Sequence, residues 1–161
     1  MEKIVGRVLK FGDNINTTIM APSETHGNRP TKEVTMTAIR PSFPNEVKPG
    51  DVIVAGTNWG YGSHRESATN VFMELGVKAI VADSVARIYF RTCIALGMPV
   101  FSCNGVSKIF KERDNIELDI ASGKIKNLTS GQEISGKPMP PFLLDLLEKG
   151  GLVPIIVEKN R

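Results

Sequence analysis

The chain has 161 residues, 41% of them apolar and 23% charged, with a net charge of +3. That length suits one domain with a real core, and the balance of apolar and charged residues is ordinary for a soluble globular protein. Scattered Lys and Arg argue against a nucleic-acid platform, and no apolar run approaches the roughly 20 residues of a membrane span.

The amino terminus, Met-Glu-Lys-Ile-Val-Gly-Arg, lacks the apolar centre of a signal peptide, so the cytoplasm is the expected compartment. Lys3 to Leu9 carries Ile4, Val5, Val8 and Leu9 and is predicted as a strand, followed by a turn at Gly12-Asp-Asn. From Ser23 to Arg40 the chain is polar, with a Gly-Asn-Arg-Pro turn. The expectation there is a surface loop followed by a short helix or extended piece. Arg40-Pro-Ser-Phe-Pro and Val47-Lys-Pro-Gly50 are turn-rich, and Asp51-Val-Ile-Val-Ala55 reads as a buried strand.

The stretch Gly56-Thr-Asn-Trp-Gly-Tyr-Gly-Ser-His-Arg-Glu-Ser-Ala68 comes next, and the chain is organised around it. Its glycines, Gly56, Gly60 and Gly62, let the backbone bend and let a ligand come close. Ser63, His64 and Arg65 are predicted at the opening of a helix, where free N–H groups favour an anion. Arg65 adds a planar fork suited to a carboxylate or phosphate. Many glycine-rich turns after strands carry no chemistry, so a purely structural loop stands beside this reading. The stretch is not a P-loop, which needs Gly-Lys-Ser/Thr. Nor is it a nucleophile elbow, because Tyr61 and Arg65 occupy the flanking glycine places. The residues alone describe an anion site with a hydroxyl at its centre.

Ala68, Val71, Phe72 and Leu75 fall at helical spacing before Gly76, and Lys78-Ala-Ile-Val-Ala82 reads as the next strand. Asp83 or Ser84 is the expected cap of a second helix, with a buried stripe of Val85, Ile88, Tyr89, Thr92, Cys93 and Leu96 closed by Gly97. Arg87 and Arg91 lie off that stripe and read as solvated or salt-bridged. Pro99-Val-Phe-Ser-Cys103 supplies another strand, and the alternation implies parallel crossovers. Ile116, Leu118 and Ile120 then alternate with polar residues. Turns at Ser122-Gly123 and Ser130-Gly131 separate two further short runs, which makes a small antiparallel meander. Phe142, Leu143, Leu146 and Leu147 give a final amphipathic helix stopped by Gly150-Gly151. The expected fold class is α/β: a mostly parallel central sheet flanked by helices, plus the meander, in a single domain spanning 1–161. Cys93 and Cys103 are the two cysteines. They are too few to hold a four-iron cluster alone and read as buried free thiols.

The central stretch resembles the Gly-x-Asn-aromatic-Gly-x-Gly-Ser-Ser-Arg-Glu-x-Ala signature of the aconitase superfamily's swivelling β/β/α domain. Phe11-Gly-Asp-Asn-Ile-Asn-Thr-Thr-Ile-Met-Ala-Pro22 is similar to the family's Gly-Asp-x-Ile-Asp-Thr-Asp-x-Ile-x-Pro. Ala82 to Pro99 is similar to its Ser-Phe-Ala-Arg-Ile-Phe-x-Arg-Asn-x-x-x-x-Gly-x-Pro. The blocks come in family order, Leu147-Glu-Lys-Gly-Gly-Leu152 also fits, and the likeness is narrowest to small subunits of 3-isopropylmalate dehydratase.

The resemblance implies dehydration and rehydration of a small hydroxy-carboxylic acid, most simply 3-isopropylmalate to 2-isopropylmalate in leucine biosynthesis. It implies Ser63 as the catalytic base and Arg65 as the grip on a substrate carboxylate. His64 replaces the family's second serine and is a candidate substrate contact. Arg29, with His26 in Ser23–Pro30, falls where the family selects the variable side group of its substrate. Gly60, Gly62, Asn58 and Asp13 are expected to shape the loop, with Asp13 to Pro22 supporting it along the active-site rim. Asn16 and Thr18 stand where the family has aspartates. No metal site is expected in this chain. The four-iron four-sulfur cluster would come from a large subunit, and self-association of the isolated chain is left open. Homoaconitase, a dimethylmalate or methylcitrate-type dehydratase, and a non-catalytic carboxylate-binding module are the alternatives.

Overall fold

The computed structural model describes residues 1–22 and 32–160. The segment Ser23–Pro30, with His26 and Arg29, lies outside them. Among the described residues the strands are β1 (Ile4–Lys10), β2 (Val52–Ala55), β3 (Ala79–Ala82), β4 (Val100–Ser102), β5 (Asn115–Asp119), β6 (Lys124–Asn127) and β7 (Glu133–Ser135). They form one sheet in the order β4-β3-β2-β1-β5-β6-β7.

β1 joins two kinds of sheet. Its last residues pair in parallel with β2, with Val8 opposite Val52, while Ile4 to Arg7 pair antiparallel with β5. On the parallel side every residue of β2 and β3 is buried, so both faces are covered. Parallel neighbours cannot be joined by a tight turn. The crossovers are α3 (Ser67–Glu74) and α4 (Arg87–Leu96). The antiparallel side keeps one wet face, where Lys3–Glu117 and Lys126–Glu133 pair at 2.8 and 3.0 Å. Exposed pairs of this kind add little stability. The mixed sheet matches the expected class.

Two buried polar side chains of the frame, Asp51 and Asn127, are satisfied. Asp51 accepts from Arg7 Nε and Nη2 at 3.0 and 2.6 Å and from Lys48 N at 2.8 Å. The fully buried Asn127 amide donates to Ile109 O and Asp114 Oδ2, and its oxygen accepts from Thr129 N and Ser130 N. A buried amide left unpaired would cost about 1–3 kcal/mol.

Several local expectations need correction. No side chain caps α4. Its N-cap is Ala86, while Asp83 accepts from Ser107 N and Oγ and Ser84 Oγ accepts from Asn58 N. Both residues serve tertiary contacts instead. Ile88 is exposed and Ile94 takes the buried place, because the packing stripe sits further along the helix. Single-turn helices α1 (Thr17–Met20), α2 (Phe43–Glu46) and α5 (Val106–Ile109) occupy stretches too short for periodicity to register. Gly150 and Gly151, at φ +76° and +101°, turn the chain after α6 (Pro141–Glu148) rather than end it. A further helix, α7 (Leu152–Lys159), follows.

Both cysteines are free and buried. Burial pushes the Cys93 thiol up to about 12, with Thr69 Oγ1 3.6 Å from its sulfur. Since the thiolate is the reactive form, neither cysteine is expected to react with a chromogenic disulfide reagent at pH 8 in the native protein. Both should react after unfolding in guanidinium. Rapid labelling of Cys93 in the folded chain would contradict the packing.

Candidate active site

The loop between β2 and α3 rests on an aromatic floor. Trp59 is fully buried although Thr57 and Asn58 before it and Tyr61 to His64 after it are exposed. Its ring lies 5.8 Å from Phe11 and 6.1 Å from Phe72, and Phe43 closes the cluster at 5.5 and 6.2 Å from those two. Burying an aromatic of this size is worth several kcal/mol, so the indole anchors the loop. Trp59 N donates to Ser84 O at 3.0 Å, and Trp59 O accepts from Ala86 N at 2.8 Å. These bonds tie the loop to the corner between β3 and α4.

On its other side the loop is laced to residues 12–17. Gly56 N donates to Gly12 O at 3.1 Å, Thr57 N to Asp13 Oδ1 at 2.7 Å and Asn14 N to Thr57 O at 2.8 Å. Gly60 N donates to Ile15 O at 2.7 Å and Thr17 N to Tyr61 O at 3.0 Å. Finally Thr17 Oγ1 donates to Ser63 O at 2.9 Å. Asn14 and Asn58 both adopt left-handed backbone, φ 56° and 59°, and their side chains meet at 3.0 Å. Asn16 caps α1 by accepting from Ile19 N at 2.8 Å, a task the amide oxygen performs without a carboxylate. Thr18 is exposed.

The glycines are explained by what surrounds them. A Cβ on Gly56 would lie 1.8 Å from Asp13 Oδ1, and one on Gly60, at φ +78°, would lie 2.3 Å from the Tyr89 ring. Tyr89 is buried, and its hydroxyl donates to Ala68 O at 3.1 Å. One α4 side chain therefore braces both ends of the segment 60–68.

Ser63 and His64 are exposed, and among the described residues neither side chain has a hydrogen-bond partner. Arg65 is half-buried, and its Nε is buried without a partner. The expected helix opening at Ser63 is displaced. α3 starts at Ser67 with Glu66 as N-cap, and Glu66 accepts from Asn70 Nδ2 at 3.4 Å rather than capping. Ser63 thus stands in the loop, four residues ahead of the helix. The guanidinium of Arg65, not the helix end, is the positive group closest to it in sequence. A planar cation with a buried, unanswered N–H suits a carboxylate arriving from outside. Asn14 and Thr17 lie within Asp13–Pro22, the stretch expected to support the loop, whereas Ser84 and Tyr89 carry no sequence signal for that role.

The described residues contain no group of three His, Cys, Asp or Glu side chains placed to hold a metal. Cys93 and Cys103 are inside the core. These residues do not fit a four-iron four-sulfur cluster.

The family model described as the aconitase C-terminal domain matches residues 2–100. The isopropylmalate/citramalate isomerase small subunit of Methanocaldococcus jannaschii is 40% identical over 97% of this chain and 95% of its own. The methanogen homoaconitase small subunit of Methanothermobacter thermautotrophicus is 41% identical over 95% and 91%. A crystal structure of a 3-isopropylmalate dehydratase from Methanocaldococcus jannaschii superposes with a TM-score of 0.88 at 33% identity, covering 99% of this chain and 96% of that one.

Gly60→Ala tests the brace. A left-handed backbone at alanine costs roughly 1–2 kcal/mol and overpacking roughly 1–3 kcal/mol. The melting temperature should fall clearly, whereas Gly131→Ala, also at positive φ but with open space around it, should lose only the backbone share. Equal losses at the two sites would show that Tyr89 does not constrain the loop.

Proposed function

The chain belongs to the aconitase C-terminal domain family, among the small subunits of its isopropylmalate dehydratase, citramalate isomerase and homoaconitase branch, and we propose that it supplies half the active site of a two-chain hydro-lyase converting 3-isopropylmalate and 2-isopropylmalate in leucine biosynthesis. The proposal takes residues 1–161 as one swivelling domain working in the cytoplasm with a large subunit. The four-iron four-sulfur cluster is assigned to that subunit.

The observation that carries the reading is the pairing of an exposed Ser63 hydroxyl with a half-buried Arg65 whose Nε has no partner, on a loop fixed from two sides. In the proposed reaction Arg65 grips a substrate carboxylate, and Ser63, as alkoxide, takes the proton from the carbon beside a carboxylate. The C–H electron pair becomes the new double bond. The hydroxyl on the neighbouring carbon departs with its bonding pair and takes up a proton as water. Return of water to the other carbon gives the isomer. A serine is a weak base in water, so its anion needs fixed positive charge nearby, which Arg65 offers. Asp13, Asn58, Gly60 and Gly62 act on the loop's shape rather than on substrate. His64, next to Ser63, is proposed to meet a substrate carboxylate, and Arg29 its variable side group.

Homoaconitase is the second reading, because the homoaconitase relative and the isopropylmalate/citramalate relative are equally similar to this chain. The deciding experiment is co-expression with the large subunit, anaerobic cluster reconstitution, and assay on 3-isopropylmalate, citramalate, homocitrate and dimethylmaleate. Turnover of 3-isopropylmalate should fall at least about a hundredfold in Ser63→Ala. Arg65→Lys, which loses the planar fork, should raise KM about tenfold. Turnover of homocitrate alone would select the second reading. Absence of turnover from a well-formed complex would leave a carboxylate-binding module.

A further inference from the structure

Beside the glycine loop, on the side facing α4, an open cleft of about 690 Å³ runs between Asn58, Tyr61 and Gly62 on one wall and Arg87, Ile88 and Arg91 on the other. The two arginines stand four residues apart and so share one helix face. Both are exposed, and among the described residues neither guanidinium has an ion-pair or hydrogen-bond partner. Ile88 and Tyr61 expose 51% and 38% of their surface between them. Arg91 also borders a second groove, an apolar one of about 320 Å³ formed by Phe90, Ile94, Leu143, Leu146 and Leu152. One surface therefore runs from the loop carrying Ser63, across two unpaired cations, to an apolar trough under α6 and α7.

We propose that this surface is the docking face for the large subunit, and that it receives a segment with carboxylates flanked by apolar residues. The inference rests on the two-chain reading above. The described residues do not fit a cluster, so on that reading the chain that holds one lies over the Ser63 loop, and the cleft is continuous with that loop. Charge separates this occupant from a second copy. In a two-fold pairing the same patch meets itself, and no acidic residue lines either groove. Arginine would face arginine at a cost that an acidic partner turns into gain. Guanidinium forks placed to pair carboxylates supply orientation as well as attraction.

The test titrates the cluster-reconstituted large subunit with this chain, anaerobically, at two salt concentrations. Arg87→Glu/Arg91→Glu should weaken the complex about a hundredfold and Arg87→Gln/Arg91→Gln about tenfold, both with a shallower salt dependence. The glutamines keep the result interpretable if the glutamates disturb folding. Lys124→Glu/Lys137→Glu, the same charge change on the antiparallel half, should bind as wild type. Ser63→Ala should lose turnover yet keep full affinity. Wild-type affinity in the glutamate variant, beside a wild-type complex that turns over, overturns this inference alone. Failure of the wild-type chain to bind any large subunit overturns it together with the two-chain reading. A stable homodimer that the glutamates break would give the face to a second copy and also overturn it.

Discussion

A loop with glycines at three of its first seven positions has no conformation of its own, and the cost of fixing it falls on its neighbours. Here the fixed point is the burial of Trp59 within an otherwise exposed segment. The indole holds the loop down onto Phe11 and Phe72. From that contact the two sets of backbone bonds, to residues 12–17 and to the β3–α4 corner, can form in register. The parallel sheet brings those partners together, because β1 and β2 are adjacent strands and both segments leave from their carboxyl ends. Ligands in open α/β sheets gather at that end for the same reason.

Polar satisfaction makes the exceptions informative. Asp51 and Asn127 are buried and fully bonded, and the wet face of the meander pairs its charges. Against that economy stand Arg65, with a buried Nε unanswered, and Arg87 and Arg91, with no counter-charge among the described residues. All three flank the same loop. Trp59 Nε1, beneath the same loop, is also buried without a partner, so unanswered donors gather around this segment, and the three cations suit anions that come from outside the chain.

Much of this was legible in the residues. The continuous apolar runs of β2 and β3, the alternation of β5 and the spacing of α3 state their burial directly. Gly60 and Asn58 belong to the turn-forming stretch itself, whereas the expectation for Asp13 came from the family resemblance, since its bond to Thr57 N spans 44 residues. Long-range hydrogen bonding was not legible. Nothing near Ser84 says that its hydroxyl accepts from Asn58, and nothing near Tyr89 says that it packs on Gly60. Ser63 to Glu66 looks like a helix opening by residue type, but Ser63 O accepts from Thr17 Oγ1 of α1, and α3 begins only at Ser67, after Glu66 in helical backbone. Gly150-Gly151 does follow the end of α6, but α6 is not the last helix, because the apolar Leu152–Val157 run beyond the glycines folds as α7.

The displaced helix start also bears on how the chemistry is divided. With α3 starting at Ser67, Ser63 stands in the loop ahead of the helix rather than in its first turn, where the helix's partial charge is felt most. In the proposed reaction, support for a serine anion then falls to Arg65 and to groups of the large subunit. Substrate choice follows the same division. In the proposed reaction the loop frame sets where a carboxylate and a proton sit, and the isopropylmalate/citramalate isomerase and homoaconitase small subunits are similar to this chain at about the same identity. What distinguishes those acids is the group away from the reacting carbons. In the proposed reaction that group meets side chains at the rim, such as His64, and the surface of the other subunit. Sequence identity averaged over the frame therefore reads the reaction but not the acid.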